Sequence, residues 1–173
     1  LTMAGLEVDG IVYQGSDIED IIVGQIKEIN NHQNADKLSV CKVDVGGAQR
    51  QIVCGAENMD AGDKVPVAPV GTVMPGGMKI EAAELRGVKS EGMMCSTEEL
   101  NLADDGEEGL FILPDDTEVG NKLTAELGLD DVIMEIDLTP NYAHCLSMIG
   151  VAREVAAITG NEVKYPNPQI EEI

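Results

Sequence analysis

Residues 38–54 of the chain read Leu-Ser-Val-Cys-Lys-Val-Asp-Val, then Gly-Gly-Ala-Gln, then Arg-Gln-Ile-Val-Cys. The first eight residues alternate between two faces, which is the side-chain period of a β-strand. The apolar residues resume after the glycine pair, and a Gly-Gly pair between two such runs is typical of a tight hairpin turn. The segment therefore predicts two antiparallel strands joined by a turn at Gly46-Gly47.

Further strand-like runs lie on both sides of this hairpin. They are short, rich in β-branched residues and separated by glycine or proline turn signals. These runs cover residues 21–29, 64–70, 78–80, 83–88, 92–96 and 110–113. Several short strands in close succession predict a small barrel or a sandwich, so we expect a mainly β fold with some α-helix.

Two later segments carry apolar residues at helical spacing, and they predict helices over 117–127 and 148–159. For the second helix, Ser147 is a candidate cap and Gly160 a candidate stop. The opening run Leu1–Val8 is typical of the end of a helix.

The composition limits the class of protein. The chain has 173 residues, and 43% of them are hydrophobic, which is enough for a packed core and excludes a wholly disordered chain. Its length suits one domain or two small ones. No basic-then-apolar leader opens the chain, so we expect no secretion, and no apolar run approaches roughly 18 residues, so we expect no membrane span. The four scattered cysteines predict reduced thiols.

The net charge of −21 is unevenly distributed. Residues 21–95 hold eight of the eleven Lys and Arg residues and are almost neutral, whereas residues 96–137 hold fourteen acidic residues and one base. A patch that attracts phosphate is therefore expected within 21–95, with a solvated mixed-charge surface as the open alternative. The acidic total argues against a protein that coats DNA or membranes.

The sequence carries no recognisable catalytic or metal-binding pattern. Only two histidines are present, and no cysteine pair has the spacing of a zinc site. Consecutive side chains such as those of His144 and Cys145 do not normally converge on one ion. No phosphate-binding loop or dinucleotide fingerprint occurs. We therefore expect no catalytic residues and no metal ligands in this chain.

We expect this chain to bind nucleic acid instead of catalysing a reaction, because a small barrel is a common nucleic-acid-binding module. Six basic residues would meet phosphates: Lys37, Lys42, Arg50, Lys79, Arg86 and Lys89. The four aromatic residues all lie outside 21–95, so the barrel has no aromatic platform on which single-stranded bases could stack. The pattern favours recognition of the backbone shape of folded RNA.

Two short motifs carry a resemblance to a known family. His32–Leu38, which reads His-Gln-Asn-Ala-Asp-Lys-Leu, resembles the His-Pro-Asn-Ala-Asp-Lys-Leu signature of the tRNA-binding barrel family, and Ser90–Ser96 resembles its second signature. Gln33 stands where that family has proline. The resemblance implies an oligonucleotide-binding (OB) fold. If the barrel binds tRNA, we expect Asn34 and Ser90 to hydrogen-bond sugar or phosphate, with a turn held by its own side chain as the open alternative for Asn34.

The segments that flank the barrel narrow the resemblance. Leu1–Val8, Glu135–Asn141 and Gly150–Ala157 are similar to the stretches around this barrel in beta subunits of bacterial phenylalanyl-tRNA synthetases. That similarity implies an OB-fold domain over 20–131, inserted in a small α/β flanking domain. The flanking domain would comprise 1–19, truncated at its start, and 132–160, and 161–173 would be a linker toward downstream domains.

The resemblance also implies a function. Such synthetases are cytoplasmic alpha2-beta2 enzymes that join phenylalanine to its tRNA with ATP and magnesium, with the catalytic site on the alpha subunit. This segment would then bind tRNA. It would contain no cofactor site, and neither membranes nor DNA would be its partners. Tyr142-Ala143-His144 replaces the family's Arg-Pro-Asp, so any role of that arginine is not carried over. Two alternatives stay open: a structural or assembly module of the synthetase, and a stand-alone tRNA-binding protein.

Overall fold

The computed structural model describes residues 1–102, 106 and 108–167, and it divides into two compact units. One unit is 14–131, and the other combines 1–13 with the chain from Val132 onward. The strands are β1 Glu7–Tyr13, β2 Ile22–Asn31, β3 Ser39–Asp44, β4 Gln49–Cys54, β5 Lys64–Pro69, β6 Ala83–Leu85, β7 Val88–Ser90, β8 Gly92–Met94 and β9 Val132–Asp137. The helices are α1 Leu123–Glu126, α2 Met148–Thr159 and the 3₁₀ turns Thr2–Ala4, Ser16–Ile18 and Pro140–Cys145.

The larger unit is built on a five-stranded antiparallel sheet with the order β4-β3-β2-β5-β8. Its two edge strands approach one another, because Glu91 N–H donates to Gln51 O at 2.8 Å and Val53 N–H donates to the Ser90 hydroxyl at 3.1 Å. The sheet is thus a nearly closed barrel, consistent with an OB fold. The expected fold class is confirmed.

Alternation along the strands fills the barrel interior. On β3, Cys41 and Val43 are fully buried while Lys42 between them is exposed, and Ile52 opposite Cys41 is also buried. The interior cluster consists of Ile26, Cys41, Val43, Ile52, Met59, Val65, Val67, Met94 and Leu110. A second buried cluster, around Ile21, Leu100 and Leu123, packs the segments that surround the barrel.

The smaller unit pairs β1 with β9 in antiparallel register, from Glu7 opposite Asp137 to Tyr13 opposite Val132. Ser147 caps the start of helix α2, where its hydroxyl accepts from Gly150 N–H at 3.1 Å, and Gly160 follows the last helical residue in the left-handed conformation. Both features are the standard ways to satisfy the polar groups at helix ends.

The hairpin at Gly46-Gly47 and the helix over 148–159 are confirmed. The expectation of a helix end over Leu1–Val8 is wrong, because the chain forms one 3₁₀ turn and then enters β1. The helix expected over 117–127 is reduced to α1. Residues 78–80 and 110–113 form single bridges instead of strands, since the neighbouring segments offer them one pairing position each.

The linker expected over 161–173 is described as far as Asn167, and 168–173 lie outside the described residues. None of the helices in the described part of the chain has both the length and the apolar character needed to cross a lipid bilayer.

The cysteines are unpaired thiols. Burial raises the pKa of Cys41 to about 11 and that of Cys95 to about 12, with a smaller contribution from neighbouring negative groups. Both therefore remain protonated at neutral pH and act as small apolar core residues, because the thiolate and not the thiol is the reactive form.

Gly24 lies where β2 crosses the barrel interior. A Cβ atom there would come within 2.6 Å of Val67 Cγ2 and 2.7 Å of Val43 Cγ1. We predict that Gly24→Ala lowers the free energy of unfolding by about 1–3 kcal/mol, because both neighbours are packed side chains that must shift. Urea denaturation measures the change. Gly76→Ala is the matched control, since nothing lies within 4 Å of its Cβ position, and a similar loss in both variants would contradict the packing argument.

Candidate nucleic-acid interface

A buried histidine ties two surface segments together. His32 directly follows β2, and its side chain is buried, with 5% of the residue exposed. Each of its two ring nitrogens contacts a different surface segment. Nδ1 accepts from Asn34 N–H at 3.1 Å, within the loop 32–38 that joins β2 to β3. Nε2 lies 3.0 Å from the carbonyl oxygen of Leu85, at the end of β6. The ring therefore joins the β2–β3 loop to the β6–β7 hairpin.

The two contacts define the proton position on the His32 ring. A backbone N–H can only donate, so Nδ1 must carry a lone pair. A backbone carbonyl can only accept, so Nε2 must carry the proton. Neutral imidazole with hydrogen on Nε2 satisfies both partners, and a buried side chain whose polar atoms are all paired stabilises a single arrangement.

The β6–β7 hairpin turns at Arg86-Gly87, where both residues have left-handed backbone angles, with φ of 52° and 90°. Two consecutive residues of this kind form a type I′ turn, whose twist matches that of the flanking strands. The Asn34 side-chain amide donates to Arg86 O at 3.2 Å, which adds a second bond between loop and turn. The Arg86 side chain is exposed at the tip.

The hairpin is also fixed to the barrel edge. The Gln51 side-chain amide on β4 donates to Lys89 O at 2.8 Å. The Ser90 hydroxyl accepts from Val53 N–H and donates to Gly92 O, both at 3.1 Å. The two bonds from β4 reach Lys89 and Ser90, so they fix β7, the hairpin strand that carries Lys89, to the barrel edge.

The structure brings four of the eight candidate residues together. We call them the loop–hairpin surface: Asn34, Lys37, Arg86 and Lys89. All four are exposed, and they lie on the two segments that His32 joins. Glu84 lies directly opposite Lys89 in the hairpin, so the positive charge of this surface is locally moderated.

The other candidate residues are placed differently. Lys42 on β3 forms an ion pair with Glu28 on β2, with 2.8 Å between Nζ and Oε2. Arg50 lines a small groove at one end of the barrel together with Val45, Val70 and Glu91. Lys79 belongs to the separate turn of 71–80, where it bridges to Val73.

Ser90 is 4% exposed, and its hydroxyl serves both as donor and as acceptor within the barrel. Phosphate oxygens only accept, so a contact with phosphate would require the bond to Gly92 O to break. The geometry therefore gives Ser90 a part in closing the barrel between β4 and β8.

Two further bases within 21–95 are used internally. Lys64 Nζ donates to the carbonyl oxygens of Asp115 and Thr117, and it holds that turn against β5. Lys27 Nζ lies 2.5 Å from Gln25 Oε1 and 3.7 Å from Asp44 Oδ2. Counting bases along the sequence overstates the charge that is available to a ligand.

Sequence reasoning did not single out His32 as a functional residue, although it begins the first motif. A lone histidine in a polar loop gives no local sign that a carbonyl 53 residues away will complete its hydrogen bonds. The one available signal was that His32 begins one motif of the family and that Leu85 lies five residues before the other, which starts at Ser90.

Comparison with known proteins gives a consistent family. Residues 21–122 match the family model described as "Putative tRNA binding domain". The chain is 50% identical over 172 residues to the phenylalanine–tRNA ligase beta subunit of Bacillus subtilis and 51% identical over 175 residues to that of Francisella tularensis. These alignments cover 96% and 98% of this chain. The chain spans 21% and 22% of the length of these two relatives.

Solved structures give partial matches. The C-terminal domain of Plasmodium vivax p43 aligns at 27% identity with a TM-score of 0.42, covering 60% of this chain and 59% of that one. A MetRS related protein from Pyrococcus horikoshii aligns at 24% identity with a TM-score of 0.43, covering 60% and 87%.

The His32 contacts generate a prediction. His32→Ala leaves Asn34 N–H and Leu85 O without their partner, and unmade buried hydrogen bonds cost about 1–3 kcal/mol each. We expect a lower unfolding free energy and faster hydrogen exchange of the Asn34 amide, measured by urea denaturation and by NMR exchange.

Gln33→Ala, an exposed change in the same loop, is the control and should leave both measurements nearly unchanged. A His32→Ala variant of unchanged stability whose Asn34 amide remains protected would show that the ring does not hold the loop.

Proposed function

This chain belongs to the tRNA-binding domain family, and from that premise we propose that it binds tRNA through the loop–hairpin surface as the N-terminal module of a phenylalanine–tRNA ligase beta subunit. The observation that carries the proposal is the attachment of the 32–38 loop to the β6–β7 hairpin, which gathers Asn34, Lys37, Arg86 and Lys89 on one supported surface.

The proposed contacts are made with the RNA backbone. Lys37, Arg86 and Lys89 are exposed cations on a surface built from hydrogen-bonded turns, a suitable arrangement for phosphates at fixed spacing. Phe111, the aromatic residue of the larger unit, packs partly buried against the core instead of offering a stacking face. Backbone contacts without stacking favour a folded RNA over a flexible single strand.

Of the other candidates, Lys42 would join this surface only after releasing Glu28. Arg50 and Lys79 would contact RNA only if tRNA extends beyond the loop–hairpin surface, around the barrel. We rank the loop–hairpin residues above these three because their segments are held together by direct hydrogen bonds.

The remaining parts of the proposal concern the whole ligase. We propose a cytoplasmic alpha2-beta2 enzyme that uses ATP and magnesium to charge its tRNA with phenylalanine, with catalysis on the alpha subunit. The support is the identity of about half the residues to beta subunits of this ligase. We also propose the division into an OB-fold domain, a flanking α/β domain and a linker after residue 160.

A structural role within the ligase is the second candidate. It is favoured by the net charge of −13 over 96–137, which repels phosphate at long range, and by the internal use of Lys27, Lys42 and Lys64. A stand-alone tRNA-binding protein is less favoured, because the similarity to ligase beta subunits extends through nearly the whole chain.

Salt dependence of tRNA binding tests the proposal. We expect the 173-residue chain to prefer bulk tRNA over single-stranded RNA of equal length, with affinity falling steeply as salt rises. The double variant Lys37→Gln, Arg86→Asn should reduce the slope of log affinity against log salt by about two, one for each lost phosphate contact. Asparagine suits the left-handed backbone at position 86, so the hairpin should be retained.

Lys164→Gln removes one exposed charge from the smaller unit and is the control, with an unchanged slope expected. If the double variant keeps the full slope, the RNA binds elsewhere on the barrel. If the unmodified chain does not bind tRNA even at low salt, the structural role is the better account.

A further inference from the structure

A group of three chemically different metal-ligating side chains lies in the smaller unit. A ring nitrogen of His144, Cys145 Sγ and a carboxylate oxygen of Glu154 all lie within 4.8 Å of one another. His144 and Cys145 end the 3₁₀ turn 140–145, and Glu154 lies in the second turn of α2. The adjacency of His144 and Cys145 in sequence did not predict this convergence.

The backbone around these residues is tightly constrained. A Cβ at position 150 would lie 1.8 Å from His144 O, so α2 can approach the 3₁₀ turn only because residue 150 is glycine. The Ser147 cap fixes the start of α2 between the two elements. The geometry that brings Glu154 to His144 is therefore set by packing and does not depend on a surface ion pair alone.

The imidazole is also oriented by its neighbours. Nε2 lies 2.8 Å from Glu154 Oε1, and the ring contacts Tyr142 with centroids 5.7 Å apart. Tyr142 is itself fixed, since its hydroxyl donates to Ala4 O at 2.8 Å. A metal ligand held in place before the ion arrives loses less conformational freedom when it binds.

Burial differs among the three groups in a way that suits one open coordination position. The Cys145 residue is 3% exposed, whereas the side chains of His144 and Glu154 are 50% and 29% exposed. An ion bound by all three would have the buried sulfur on its protein-facing side and solvent on the opposite side. Water would supply the fourth position of a tetrahedron.

We propose that His144, Cys145 and Glu154 form a binding site for a divalent zinc ion. A thiolate, an imidazole and a carboxylate are the ligand types that zinc accepts in tetrahedral sites, and hard cations such as magnesium prefer oxygen alone. On binding, the Cys145 thiol releases its proton to solvent. The hydrogen of the Nε2–Glu154 bond leaves Nε2 and solvent returns one to Nδ1, so that the neutral ring offers the Nε2 lone pair and the freed carboxylate an oxygen to the ion. Thiolate and carboxylate together balance the two positive charges.

Cobalt substitution gives a direct test, because a thiolate bound to Co²⁺ produces a charge-transfer absorption band and tetrahedral cobalt produces strong visible bands. We expect both sets of bands when the 173-residue chain is titrated with Co²⁺ in an excess of magnesium, which occupies ordinary surface carboxylates. Zinc should displace cobalt and abolish the bands, and calorimetry then gives the zinc affinity.

The variants separate this site from nonspecific binding. Cys145→Ser should abolish the charge-transfer band. His144→Gln and Glu154→Gln should each weaken zinc binding by about a hundredfold or more, because losing a direct ligand should cost at least as much as losing an outer-shell partner, which costs about 10–100-fold. His144 and Glu154 are partly exposed, so these two variants should fold even if Cys145→Ser does not. Cys54→Ser is the matched control. It removes a half-buried thiol from the larger unit, and the cobalt spectrum should stay unchanged.

Two results would overturn the proposal. One is the absence of a thiolate-to-cobalt band in the unmodified chain. The other is zinc binding that His144→Gln and Glu154→Gln leave intact, which would mean that the ion is held by other acidic groups of this strongly acidic chain. Neither result bears on tRNA binding, because the loop–hairpin surface contains none of these residues.

Discussion

Closure of the sheet between β4 and β8 is the constraint on which the larger unit depends. Five short strands leave two edges, and an open edge exposes unpaired backbone groups. Here the β6–β7 hairpin and the residues after it occupy that gap, through the hydrogen bonds of Gln51, Val53 and Glu91. The same bonds that close the barrel also fix the strand that carries Lys89. Fold and candidate interface therefore rest on one set of contacts.

The distribution of charge shows how an acidic protein can still offer a binding surface. Total charge governs long-range attraction, but contacts with phosphate are decided within about one Debye length, roughly 8 Å at physiological salt. In 21–95 the bases fall into two groups: those held by internal partners, such as Lys64, and those whose side chains stay exposed and unpaired with the acidic groups that the structure describes, such as Arg86. Only the second group can exchange water and counterions for RNA.

Local patterns predicted the parts of the fold that are decided locally. The alternation over 38–45 and the Gly46-Gly47 turn predicted β3 and β4, and the spacing over 148–159 with Ser147 and Gly160 predicted α2 with both ends. The features that the sequence did not predict depend on contacts between residues far apart in the chain. Strand β1 begins within the run Leu1–Val8 that was expected to end a helix, and its partner β9 lies more than 100 residues later. For the candidate site, the basic residues were visible in the sequence, but their grouping was not. It depends on His32 and Asn34 reaching carbonyls 53 and 52 residues away.

The way the chain enters and leaves the barrel unit has an evolutionary consequence. Tyr13 and Val132 are paired across β1 and β9, and Gln14 N–H donates to Asp131 O at 2.9 Å, so the two ends of the 118-residue excursion from Gln14 to Asp131 meet side by side. Closing the β1–β9 pair with a short turn instead would require little rearrangement, because the strand ends are already at hairpin distance. Loop-closure entropy grows only slowly with length, so the reverse step, placing a folded domain in such a turn, costs little. Residues 14–131 could thus be gained or lost in evolution as one inserted domain, while β1 and β9 kept their pairing register.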